Sequence, residues 1–209
     1  MSADALFAIG GDGTILHMAK AATRHGIPIL GVNIGTMGFM AELESTELDQ
    51  LARLADGDYK IDKRMMLDVT GHRDRDIIFH DICLNNVVIT KGAVARIVHL
   101  RVSRDDVEAM ECGGDGIIVA TPTGSTGYSF SAGGAVVEDT FDCIGVKAIS
   151  SYLLRGAHHM IFSPKTVFTA KNIRTEGGED KLIIRKLLIF SVSDVKNHGP
   201  HSEKHGKNI

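Results

Sequence analysis

The chain has 209 residues, of which 44% are hydrophobic, 23% charged and 5% aromatic, with no Trp and a formal net charge of −3. Length and apolar content suffice for one mid-sized domain or two small ones, each with a core. The same balance excludes a disordered acidic chain and a coiled coil, and the charge argues against a nucleic-acid or anionic-membrane partner.

Residues 5–9 form a short apolar run ending in glycines, the pattern of a buried parallel strand. A helix is predicted over 14–25, with Ile15, Met18, Ala19 and Ala22 on one face and Gly26 as its stop. Residues 27–32 read as a second strand, completing a β–α–β unit that places a ligand at the carboxyl ends of its strands. A second helix is expected over 46–55, with Leu48, Leu51 and Leu54 inward. From about residue 59 the texture changes to closely spaced β-type runs at 59–63, 76–79, 96–102 and 116–120, and a further one at 181–190. Strands so close together, without helical patterns between them, predict a mainly antiparallel region. The expected organisation is an α/β part over 1–60, an all-β part over 61–190, and an unstructured tail over 191–209. His198, His201 and His205 in that tail are read as flexible-tail residues rather than as a metal site.

Cys83, Cys112 and Cys143 are far apart and form no C-x-x-C, so a reduced, cytoplasmic chain is expected without a disulfide framework or structural zinc. The first residues lack the features of a secretory signal, and no apolar run approaches the ~18 residues of a membrane span.

Glycine is in excess, 23 residues against a usual share of about 7%, while Pro numbers only 4. Most of the glycines cluster in residues 10–38 and 113–134, and each cluster opens with Gly-Gly-Asp-Gly. In the first, a strand runs through Gly10, Gly11, Asp12 and Gly13 into a helix, whose free N–H groups and dipole suit a phosphate. Asp12 stands among those donors as a candidate base, or else as a simple cap of the helix. In the second cluster, Asp115 precedes an apolar strand that ends in the hydroxyl-rich run 121–131. That run offers hydrogen bonds and, in Tyr128, an aromatic platform suited to a ribose, an amide or a base.

Four blocks, residues 10–14, 31–39, 84–86 and 115–134, occur in an order that resembles the NAD kinases, with 121–134 the most specific. The resemblance implies a phosphofructokinase-like or Rossmann-like α/β domain, truncated here, followed by a mainly antiparallel all-β domain. It implies transfer of the terminal phosphate of ATP, or of polyphosphate, to the 2′-hydroxyl of NAD, with Mg²⁺ as the cation. Asp12 matches the catalytic aspartate, Gly13 a backbone approach to the ribose, and Asn85 a contact to NAD, with Asn86 beside it. Thr123, Thr126, Gly127, Tyr128 and Ser131 match the loop that holds the dinucleotide. Asp115 matches a carboxylate that reaches NAD on a neighbouring subunit, which implies a homo-oligomer, a dimer or tetramer. Asn33 and its glycines look like a structural bracket. No protein metal ligand set is implied.

The sequence also departs from that pattern. Asn86 stands where the family usually has Asp or Glu, which predicts weaker NAD binding. Gly113 replaces a frequent Arg, Ala135 replaces a frequent Pro, residues 174–178 stand where a Val-Asp-Gly segment is expected, and only nine residues precede Gly10. The alternatives are an impaired NAD(P)-binding remnant of the family and, from Gly-Gly-Asp-Gly alone, a relative of the diacylglycerol and sphingosine kinases.

Overall fold

The computed structural model describes residues 4–35, 40–91, 97–173 and 180–193. β1 (Leu6–Gly10), α1 (Asp12–His25) and β2 (Ile29–Asn33) form the predicted β–α–β unit, the strands parallel with Leu6 opposite Ile29. α1 begins two residues earlier than expected and ends as predicted, Gly26 taking the left-handed conformation (φ 63°) that closes the last turn. Ile15, Ala19 and Ala22 are buried against Ala8 and Ile29, and against Met66, Ile82 and Ile189 from farther along the chain. One helix thus ties both parts of the molecule together.

Two local expectations are corrected. Only one face of β1 is buried. Phe7 and Ile9 are 44% and 59% exposed, because α1 covers the other face and β1 ends the sheet. The second helix is broken. After β3 (Leu43–Glu44), which pairs with β2, come a 3₁₀ turn at Ser45–Gln50 and one short helix, α2 (Leu51–Ala55). Glu44 and Glu47 cap that turn reciprocally, and Leu48 points outward, 48% exposed. Only Leu51 and Leu54 pack inward, on Leu30, Val32 and Leu43.

The rest is β-structure. In chain order come β4 (Lys60–Arg73), β5 (Asp76–Cys83), β6 (Asn86–Thr90), β7 (Val98–Arg104), β8 (Val107–Gly114) and β9 (Gly116–Ala120). A 3₁₀ turn at Thr123–Thr126 and the single-turn α3 (Tyr128–Ser131) follow. β10 (Ile144–Ile149), β11 (Leu153–Arg155), β12 (His159–Phe162), β13 (Phe168–Asn172) and β14 (Asp180–Ser193) are the remaining strands among the described residues. β14 pairs with β4 along its whole length, from Asp180 opposite Arg73 to Ser193 opposite Lys60, and touches β2 through Ser191 and Ile29. It extends into the segment expected as tail. Residues 194–209, including the three spaced histidines, lie outside the described residues, as do 36–39 and 174–178.

Among the described residues, one ten-stranded sheet joins the parallel β1–β2 edge to the antiparallel strands, and a four-stranded sheet, β12-β10-β9-β6, packs across it. The mainly antiparallel second part is as predicted. The core between the sheets includes Leu67, Val102, Met110, Ile117, Val119, Val146 and Phe168. Side chains alternate along a strand, so Ile118, Ala120 and Ile149 face the other way. Ala132, just after α3, packs on them, so β9 is buried on both faces and reads as a continuous apolar run.

Candidate functional site

The first Gly-Gly-Asp-Gly lies at the carboxyl end of β1. Gly11 is the N-cap of α1 and Asp12 is its first residue, so Asp12 is not the cap that its position allowed. Its Oδ1 instead accepts the N–H of Met40 at 3.1 Å, which aims the carboxylate at the chain leaving β2. Gly10 is fixed by packing, since a Cβ there would stand 2.3 Å from Thr14 Oγ1. Gly11 and Gly13 differ, because among the described residues a Cβ at either would meet nothing within 4 Å. These two glycines keep open space beside a helix N-terminus, as a ligand site requires. Asn33, 2% exposed, is the expected bracket. It donates through Nδ2 to Glu44 Oε2 at 2.9 Å and accepts the Gly35 N–H at 3.0 Å.

The hydroxyl-rich run divides by direction. Thr121, Ser125 and Ser129 are buried. Thr121 Oγ1 donates to Leu84 O at 2.6 Å and accepts from Gly124 N–H at 3.0 Å, and its own N–H donates to Asn85 O at 3.0 Å. Ser125 Oγ bridges both backbone groups of Val137, at 3.1 and 2.9 Å. These residues bolt the run to the scaffold. Thr126, Tyr128 and Ser131 are exposed, and Thr123 and Gly127 are partly so. The five positions singled out from sequence therefore form the accessible side.

Asn85, between β5 and β6, and Asn86, the first residue of β6, are brought against this run. A Cβ at Gly124 would lie 2.1 Å from Asn85 O, and one at Gly127 would lie 3.2 Å from Asn86 Nδ2. The Oδ1 atoms of both asparagines and the Oγ of Ser129 are buried without a hydrogen-bond partner. Each orphaned polar atom costs about 1–3 kcal/mol unless something satisfies it.

Between this run and the β–α–β unit lies a cavity of about 340 Å³, within the usual size for small-molecule sites. Ile15, Met40 and Leu84 form apolar wall, and Thr123 and Thr126 contribute hydroxyls. Its remaining wall includes Arg64 and the stretch 136–139, with Arg64 ion-paired to Asp139. The sequence offered no signal for this wall, because Arg64 is one charged residue in a strand and 136–139 matches no motif.

Asp115 is not brought to this cavity. It sits at the opposite end of β9 from Thr121, about 20 Å away at the rise of an extended strand. Its Oδ1 accepts from Lys91 Nζ at 2.6 Å, and that bond holds its carboxyl below the usual carboxylate range. The space beside Gly113 is taken by His99 and Tyr152, 3.1–3.2 Å from where a Cβ would stand. No cluster of three or more His, Cys, Asp or Glu suited to a metal occurs among the described residues. Likewise, no described helix is long and apolar enough to cross a membrane.

A glycine turn at a helix N-terminus, and a cavity lined by α1, β2 and the hydroxyl-bearing loop, define a two-part α/β-plus-β protein with its cleft at the junction. The ATP-NAD kinase N-terminal domain model matches residues 1–59 and the C-terminal domain model matches residues 84–185. The chain belongs to the ATP-NAD kinase family.

Among curated relatives, it is 44% identical to the NAD kinase of Acetivibrio thermocellus over 152 residues, 72% of this chain and 53% of that protein. It is 42% identical to the NAD kinase of Natranaerobius thermophilus over 170 residues, 81% and 59% of the two. The chain thus spans a little over half the length of these relatives. Among solved structures it resembles a yeast NADH kinase complexed with NADH, with a TM-score of 0.81 at 21% identity, over 93% of this chain and 64% of that one. It also resembles an NAD kinase from Archaeoglobus fulgidus in complex with ATP, with a TM-score of 0.72 at 26% identity, over 93% and 78%.

Proposed function

We propose that this chain is an NAD kinase that transfers the terminal phosphate of ATP to the 2′-hydroxyl of NAD, giving NADP and ADP. The observation that carries the reading is the space that the described residues leave open at Gly11 and Gly13, beside Asp12. Family membership and the archaeal relative solved with ATP support ATP as the donor.

In this reading Asp12 accepts the proton of the 2′-hydroxyl as that oxygen bonds to the γ-phosphorus and the bond to the β-phosphate oxygen breaks. Proton transfer of this kind contributes typically 10²–10⁴-fold, and positioning of the two reactants supplies much of the rest. Gly13 admits the ribose. Asn85 and Asn86 contact NAD through their side-chain amides, and Thr123, Thr126, Gly127, Tyr128 and Ser131 hold the dinucleotide. Asn86 has no charge to offer a ribose hydroxyl, so its contribution is smaller than a carboxylate's.

Mg²⁺ is bound in such sites by substrate phosphates with one or two carboxylates rather than by an all-protein cage, which fits Asp12 standing without a ligand cluster. Bound there, it would neutralise developing phosphate charge. Asp115, remote from the cavity of its own chain, serves NAD on a neighbouring copy, so the working form is a homo-oligomer. Residues 1–60 supply the base and 61–190 the dinucleotide loop, in a cytoplasmic protein with no nucleic-acid or membrane partner.

The test is to incubate the protein with ATP, Mg²⁺ and NAD and to measure NADP with an NADP-specific dehydrogenase. NADP forming with enzymatic turnover is the expected result. NADP absent under those conditions overturns the reading.

A further inference from the structure

One imidazole pins the far end of the dinucleotide loop to the sheet. After α3 the chain turns through Gly133 (φ 78°), and the Gly134 N–H bonds back to Ser129 O at 2.8 Å. The next N–H, of Ala135, leaves the helical turn and donates to Nδ1 of His159 on β12 at 3.0 Å. β10 makes room for this ring at Gly145, where a Cβ would stand 3.1 Å from His159 Nε2. Two residues on, Val137 is gripped by Ser125. The accessible residues Thr126, Gly127, Tyr128 and Ser131 all lie on the stretch between Ser125 and the His159 anchor.

We propose that His159 is a positioning residue for NAD binding: its neutral imidazole accepts the Ala135 N–H and so fixes how the loop presents Tyr128 and Ser131. The proposal rests on the NAD kinase reading. His159 itself touches no substrate. An imidazole accepts only through an unprotonated nitrogen, so Nδ1 is bare and the ring proton sits on Nε2. Burial, and then the charge of Lys147 directly opposite in register, push its pKa below the ordinary value and keep the ring neutral. Lys147 is the charged group facing it from β10. The turn at 132–135 presents no titratable side chain, and neighbouring His158 instead faces Ser151 Oγ at 3.4 Å. Protonation would set a donor against the Ala135 donor and free the turn. Ala135 matters for the same reason, since a proline there has no N–H to give.

The experiment measures NAD affinity of the full chain by calorimetry for wild type, His159→Leu, His159→Asn, Ala135→Pro and the His159→Leu/Ala135→Pro pair. His159→Leu and Ala135→Pro should each weaken NAD binding about 3- to 10-fold, the worth of one neutral hydrogen bond. The pair should be no weaker than either alone, because both remove the same bond. His159→Asn, which keeps an acceptor, should restore most of the affinity. Wild-type affinity should fall from pH 7 to pH 5 more steeply than that of His159→Leu. Unchanged affinity in both single variants, or losses that add in the pair, overturns the proposal. A wild type that binds no NAD contradicts the NAD kinase reading instead. The anchor is then decided by ¹⁵N NMR of the His159 ring, where a proton on Nδ1 at pH 7 overturns it.

Discussion

At residues 10–13, Gly-Gly-Asp-Gly leads from a parallel strand into a helix, whereas at 113–116 the same letters carry the chain from the ten-stranded sheet to the four-stranded one. Around the first Asp, two glycines meet no neighbour among the described residues. Around the second, every glycine is pressed by the protein: a Cβ at Gly114 would meet Ile149 O and Ser151 Cα at 2.8 Å, and one at Gly116 would meet Ile89 O at 2.0 Å. Asp12 accepts the N–H of Met40, a residue that lines the cavity, while Asp115 is held by a lysine at the far end of a strand. Identical letters therefore leave room around the glycines in one place and serve strand packing in the other. The neighbours decide which.

The largest expected effect separates the two aspartates. Asp12→Asn should lower kcat by about 10²–10⁴-fold, the usual worth of a general base, with folding intact by circular dichroism. Asp115→Asn should leave kcat at saturating NAD near the wild-type value. The glycines should separate next, in the opposite sense. Gly116→Ala should cost about 1–3 kcal/mol in urea denaturation, as overpacking against backbone does. Gly13→Ala should fold as well as wild type, or up to ~1 kcal/mol better as a helix substitution, while raising the KM for NAD.

A smaller effect concerns acid. The Lys91 contact holds the native Asp115 pKa below its unfolded value, so its contribution is present above the unfolded pKa and lost as pH falls through the native one. Lys91→Met should therefore reduce stability at neutral pH slightly and flatten its decline in acid below about pH 4, as read from urea melts. The smallest effect is at Cys83, whose thiol burial pushes up to about 11. It should resist alkylation at pH 8 in the native protein and react on unfolding.

Much of this is legible in the sequence, and the limits are physical. The β–α–β unit announces itself through a contiguous period-3.6 face at Ile15, Ala19 and Ala22 and a left-handed glycine stop. Asn33 is readable as a bracket only through the resemblance of residues 31–39 to the family's block. Leu48 misleads because three leucines at helical spacing suggest one helix, whereas the Glu44–Glu47 cap enforces a 3₁₀ turn that rotates Leu48 outward. The split of hydroxyls into Thr121, Ser125 and Ser129 inside and Thr126, Tyr128 and Ser131 outside depends on a 3₁₀ turn followed by one helical turn, which local composition does not specify. The pairing of β14 with β4, and the cavity wall from Arg64 and 136–139, arise from contacts far apart in the chain. In the sequence Ala135 is a mere departure from a pattern, and only the His159 nitrogen opposite its N–H gives it a partner.

The most direct measurement follows ³²P from γ-labelled ATP onto NAD, for wild type, Asp12→Asn and Asp115→Asn side by side at saturating NAD. Label should appear in NADP with wild type and with Asp115→Asn at comparable rates, and fall to near background with Asp12→Asn. Equal transfer by Asp12→Asn and wild type would contradict the assignment of the open glycine turn as the catalytic one.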